Sequence, residues 1–133
     1  MSVMTVIHRF VERRFFAILL CMRFNIPKND SRYYWTQHSV RKMLFYGLTA
    51  DRIKRIIRNP KRMEDGIAEG TLAAMQPSGT KQKPTEVWTM YAVKGNKKVI
   101  ITAWRYPGIS PVRGEIPIPS NILEELKREG VLK

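Results

Sequence analysis

Two runs, "EVWTMYAV" over residues 86–93 and "KVIITAWRY" over residues 98–106, constrain the fold more than any other feature of the chain. Both are rich in β-branched and aromatic residues, and Lys94, Gly95 and Asn96 between them supply turn chemistry, so they predict an antiparallel hairpin. A weaker strand is expected over Ile67 to Gln76, because Gly70 and three alanines dilute its signal. "QPSGTKQKP" before the hairpin reads as a loop, and Lys61 to Asp65 as a charged turn. Pro107 ends the pairing, since "PGISPVRGEIPIP" cannot donate a regular ladder of hydrogen bonds.

Helical signals flank these strands. Thr36 is placed to cap a helix running to about Tyr46, with Gly47 as its left-handed terminator and Val40, Met43 and Leu44 on one face. Thr49 caps a second helix, Leu48 staples onto Ile53, and Asn59 with Pro60 stops it. Ile53, Ile56 and Ile57 form its apolar stripe, while Arg52, Lys54, Arg55 and Arg58 occupy the opposite face. Ser120 or Asn121 is expected to cap a last helix ending at Gly130, with Glu124 and Glu125 near its start and Lys127 and Arg128 near its end. The expected class is α+β: two N-terminal helices packed on a small curved antiparallel sheet, with an extra C-terminal helix. Residues 1–32 read as an extension with a short amphipathic helix and a linker, 33–107 as the core, and 108–133 as a proline-rich segment with its helix.

Charge narrows the partners. The chain has 133 residues, 24 Lys and Arg against 11 Asp and Glu, and a net charge of +13. That excess attracts phosphate backbones or anionic lipid over a range set by salt. The apolar run Phe15 to Met22 is too short for a bilayer, which needs about 20 residues, so a membrane partner is not expected. Arg9, Arg13, Arg14 and Arg23 beside it leave an interfacial contact open. A single cysteine, Cys21, allows no internal disulfide and suits a reducing, cytoplasmic setting.

No phosphate-binding glycine loop, nucleophile elbow or paired-histidine zinc spacing is present, so neither a metal nor a cofactor is expected. What remains is basic and aromatic. Lys42, Arg52, Lys54, Arg55 and Arg58 are candidates for phosphate contacts, and Trp88 and Tyr91 for base stacking. His38 titrates near neutrality and is a candidate for proton transfer at an RNA 2′-hydroxyl, with Arg41, Arg105 and Arg113 holding the phosphate and Tyr106 as an alternative proton donor. The alternative for each is an ordinary one: a hydrogen-bonded structural histidine, core aromatics and a solvated cationic face.

"WTQHSVRKMLFYGLTADRIKRIIRNPKRMEDG" followed by "VWTMYAVKGNKKVIITAWRYP" resembles a bacterial and archaeal domain family related to RelE-type and BrnT-type toxins, small ribonucleases with two helices against a curved antiparallel sheet. The likeness spans about Tyr33 to Pro107 and places the family's helix histidine on His38, its basic residue on Arg41 or Lys42, its turn glycine on Gly47 and its helix-ending proline on Pro60. It implies a metal-independent endoribonuclease acting on RNA or the ribosome, and an acidic antitoxin as a protein partner. Two alternatives stand beside it: a non-catalytic nucleic-acid-binding domain, and a protein-interaction module using the apolar N-terminal segment.

Overall fold

The computed structural model describes residues 26–132. The amphipathic helix expected within residues 1–24 lies outside the described residues. The predicted hairpin is the centre of the molecule. Its strands are Pro84–Lys94 and Lys97–Pro107, and each residue of Val87–Tyr91 is buried. Alternation therefore does not separate a wet face from a dry one. Val87 and Tyr91 join one core cluster, while Trp88 and Met90 join another on the opposite face. Trp88 lies directly across from Trp104, with ring centroids 5.9 Å apart and planes 2° from parallel.

In chain order the strands are β1 (Tyr33–Trp35), β2 (Arg62–Asp65), β3 (Thr71–Gly79), β4 (Pro84–Lys94) and β5 (Lys97–Pro107). The helices are α1 (Gln37–Tyr46), α2 (Ala50–Arg58) and α3 (Ser120–Arg128). The fold is α+β, with spatial strand order β1-β5-β4-β3-β2. The sheet is mixed rather than wholly antiparallel, because β1 runs parallel to β5, pairing Tyr33 with Lys98 and Trp35 with Ile100. Two strands were not expected: β1, which had no reading of its own, and β2, which falls in the expected charged turn. Tyr33–Trp35 is too short to show a period, and "RMED" carries three charges because β2 is an edge strand with half-exposed side chains.

β3 is also displaced. It starts at Thr71, not Ile67, and continues through "QPSG", so the expected nine-residue loop shrinks to residues 80–83. Pro77 is tolerated there because β2 pairing ends at Met75. The Pro77 carbonyl points to that open side and accepts a hydrogen bond from Arg52, so the missing N–H on the same side costs no ladder bond.

The helix caps follow the expectation for α1 and α2. Thr36 Oγ accepts from Ser39 N, Gly47 takes φ 69°, and Thr49 Oγ accepts from Arg52 N. For α3 the expected serine or asparagine cap is replaced by Pro119, which makes no side-chain cap bond. Met43, Leu48, Ile53, Ile56 and Ile57 cover one sheet face. Ile116, Ile122 and Leu126 cover the other, over Trp88 and Trp104, so the proline-rich segment and α3 share the core of the hairpin.

The tight β3–β4 turn generates a stability prediction. Gly79 and Gly95 both have positive φ, but a Cβ on Gly79 would collide with the Lys83 carbonyl, whereas one on Gly95 meets nothing. Gly95→Ala should cost about 1 kcal/mol from backbone strain alone, and Gly79→Ala roughly 3 kcal/mol, read as urea midpoints with unchanged m-values.

Candidate functional site: a histidine cluster and an arginine face

α1 runs beside β5 where β1 stops, and polar contacts fix both its ends. The Thr36 hydroxyl lies 3.0 Å from the Ile100 carbonyl and 3.1 Å from that of Ile101. Between Met90 and Tyr91 the register against β5 shifts, leaving Ile101 as an extra residue. The bulge brings Thr102 within reach of His38, whose Nε2 lies 2.9 Å from Thr102 Oγ1. The other ring nitrogen, Nδ1, lies 3.1 Å from Glu129 Oε2 and 3.3 Å from Glu125 Oε2; Glu125 is on α3 and Glu129 is its C-terminal cap residue.

Two carboxylates facing Nδ1 place the proton there, and the Thr102 hydroxyl then donates to Nε2 of the neutral ring. His38 is only 3% exposed, and burial holds its pKa below the ordinary 6.5; Arg41 acts in the same direction, while Glu129 and Glu125 oppose it. Lys42 Nζ sits 2.7 Å from Glu125 Oε1, and an Arg41 guanidinium nitrogen is 3.5 Å from Glu129. The donor atoms of His38, Glu125 and Glu129 lie within 4.8 Å of one another, the spacing of a metal triad. Lys42 and Arg41 already neutralise both carboxylates, so the group is complete as an ion network. His38 and Glu129 border a cavity of about 400 Å3 together with Thr36, Glu69, Lys94 and Ile101.

The candidate cations separate. Lys42 is buried in its ion pair and cannot reach a solvent-borne phosphate. Arg41 belongs to the histidine cluster. Arg105 donates from Nε to the Tyr46 carbonyl at 2.9 Å, holding the last turn of α1. Arg52, half-buried, donates to Pro77. Its pKa is pushed down by burial and then by repulsion from Arg55 and Arg105. Gln76 donates to the Arg55 carbonyl and aligns through Val87 with Arg105, so the register sets the three arginines at one end of the same sheet face. Arg55 and Arg58 are exposed, and Lys54 lies 5.0 Å from the Tyr33 ring centre. Arg52, Lys54, Arg55, Arg58 and Arg105 are in no ion pair among the described residues.

Arg113 is exposed but elsewhere: its neighbour Val112 accepts from Arg62 on β2, at the opposite edge of the sheet from β1. It does not join Arg41 or Arg105. Tyr106 follows Arg105 on β5 and packs into the cluster beneath α3, so the two side chains leave opposite faces and share no site. Trp88 is fully buried, its Nε1 donating to Glu86, and Tyr91 is 3% exposed; neither can stack on a base. The structure instead adds Thr102, Glu125 and Glu129 as partners of His38. The four-residue spacing of the two glutamates on α3 was the available signal, but at the sequence level only Glu125 stood out, as a complement to the helix dipole. No protein-family model, curated protein or solved structure matches the chain.

The buried ring predicts a pH dependence. In the unfolded chain His38 titrates near its ordinary 6.5, whereas the folded value is lower, so the unfolded state binds more protons below pH 6.5. Stability is therefore complete above that pH and declines as pH falls toward the folded-state pKa, by at most about 1.4 kcal/mol per pH unit. Urea unfolding of wild type and His38→Gln at pH 7.5 and 5.5 should show a smaller acid loss in the variant. The depressed Asp30 carboxyl acts only below its ordinary 3.8, outside that window.

Proposed function

We propose that the chain binds nucleic acid, RNA above all, through the arginine face formed by α2 and the end of β5. The observation that carries this reading is that Arg52, Arg55 and Arg105 lie at one end of the same sheet face with no carboxylate paired to them among the described residues. Like charges brought together oppose folding, and a polyanion relieves that repulsion when it binds. Arginine forks match phosphate oxygens in geometry as well as charge. Arg58 extends the same exposed helix face.

A metal-independent endoribonuclease is the second reading, and the cavity beside His38 favours it. α1 and α2 lie against the β3–β4–β5 meander, but the parallel β1 and the helix on the second face do not fit a RelE-like arrangement, so this reading rests on the cavity and not on the fold. Binding ranks above cleavage for a geometric reason. His38 and Tyr46, whose carbonyl Arg105 holds, are eight residues apart on one helix, about 12 Å along its axis. A phosphate on Arg105 is thus out of hydrogen-bond reach of His38, and only Arg41 is near enough to serve both roles. An RNA or ribosomal target, a cytoplasmic setting and an acidic antitoxin partner belong to this proposal. No described helix is long and apolar enough to cross a membrane.

The test is anisotropy of a fluorescent single-stranded RNA titrated with the full chain across a salt series. Affinity should fall with salt at a slope of about −0.7 per phosphate neutralised, and Arg52→Ala/Arg55→Ala should make that slope shallower by about 1.4. A flat salt dependence, or an unchanged slope in the double variant, refutes the arginine face. Incubation of the same RNA in EDTA with wild type and His38→Ala decides the second reading: cleavage that disappears in the variant would place the chemistry at His38.

A further inference from the structure

We infer that Phe45 is a stacking platform for an unpaired base, which makes the ligand of the arginine face a single strand rather than a duplex. The inference rests on the nucleic-acid reading above. α1 hides its other apolar residues, with Met43 fully buried and Leu44 8% exposed, yet Phe45 beside them is 72% exposed. A solitary surface phenylalanine is ordinary, so its surroundings decide the matter.

The ring is held in place. Tyr46 meets it edge-on, centroids 4.8 Å apart at 87°, and the Lys42 ammonium lies over it at 5.6 Å. Lys42 is itself fixed by Glu125, so the covered face of the ring stays covered, and the exposure belongs to the other face. A flat, immobilised aromatic surface open to solvent is what a base stacks on at small entropic cost.

Its neighbours are charged or polar rather than apolar. Arg41 and Lys42 precede it by four and three residues on the same helix face, and exposed Gly47 and Thr49 follow it. The adjacent Tyr46 carbonyl is bound by Arg105, which lies at the same end of the sheet face as Arg52 and Arg55. A protein partner would call for a contiguous apolar patch around the ring, and the described residues next to it, Arg41, Lys42, Gly47 and Thr49, supply none. The Tyr46 carbonyl held by Arg105 is one residue along α1 from Phe45, so a strand with a phosphate on Arg105 passes the end of the helix that carries the ring. In a duplex the bases are already stacked and paired, and their faces are closed to it. Trp88 and Tyr91, the aromatics expected to stack on a base, are buried. Tyr34, 45% exposed on β1, provides an internal control away from the arginine face.

The experiment measures anisotropy of the full chain with a labelled 12-nucleotide oligouridine and with a labelled 12-base-pair RNA duplex. Phe45→Ala should weaken the single strand roughly 5- to 150-fold and leave the duplex unchanged, Phe45→Trp should restore the single strand, and Tyr34→Ala should change neither. Arg52→Ala/Arg55→Ala should weaken both ligands. If Phe45→Ala binds the single strand within twofold of wild type while the arginine variant loses it, the stacking role is overturned and the arginine face survives. Equal loss of both ligands in Phe45→Ala also overturns stacking. A wild-type chain that binds neither, or an arginine variant indistinguishable from wild type, overturns the underlying reading together with the inference.

Discussion

The β4–β5 ladder is buried on both faces, and the architecture follows from that constraint. Trp88 and Trp104, paired across the ladder and stacked nearly parallel, present a large apolar surface that water would cover if α3 were absent. Val87, Tyr91, Ile100 and Ala103 present a second such surface to α1 and α2. A hairpin with two hydrophobic faces requires a cover for each, so the chain supplies helices before and after the meander. The connection from β5 to α3 is held from inside: buried Glu86 accepts from the Trp88 indole and from the backbone N–H and hydroxyl of Ser110, and Arg62 reaches the same hydroxyl. A carboxylate with three hydrogen bonds and a nearby guanidinium group is compensated for its loss of water.

The cations of this basic chain meet two fates, and the difference is informative. Lys42 and Arg41 are engaged by Glu125 and Glu129, tying α1 to α3 and its C-terminal cap, while Arg62 pairs with Glu64 within β2 and reaches Ser110 in the segment before α3. Arg52, Arg55 and Arg105 lie at one end of the same sheet face without an acidic partner among the described residues, and Arg52 keeps a buried Nε with no acceptor. Hydrogen bonds from Arg52 to Pro77 and from Arg105 to Tyr46 use carbonyl oxygens, which orient the guanidinium groups without cancelling their charge. Orientation without neutralisation leaves the field of these groups directed at solvent.

Legibility in the sequence tracked the range of the interaction. Threonine caps, the Gly47 terminator and the Ile53–Ile56–Ile57 stripe are local, and each was readable from a few adjacent residues. β1 and β2 were not, because three or four residues show no period and their pairing partners, β5 and β3, lie far along or across a turn. Trp88 and Tyr91 were misjudged for a related reason. Alternation shows that neighbours on a strand point to opposite faces, but not that α1 and α2 cover the face of Tyr91 while α3 covers that of Trp88. The histidine cluster joins residues 38, 102, 125 and 129, and no spacing rule connects them.

α1 unites the two candidate sites, and its anchoring bears on how either would work. Its start is tied to the β5 bulge by Thr36, its first turn to α3 through His38, and its end to β5 through Arg105. These are polar, directional bonds at three places, added to the apolar contacts of Met43 and Leu48 beneath. A helix so constrained presents Phe45 and the nearby arginines in fixed relative positions, and a ligand then meets a surface whose ordering cost was met during folding. Loosening the Thr36 anchor or the His38 anchor would leave the charges in number unchanged but disperse them in space. Affinity would then fall through lost preorganisation, with the salt dependence retained, whereas removal of an arginine lowers both.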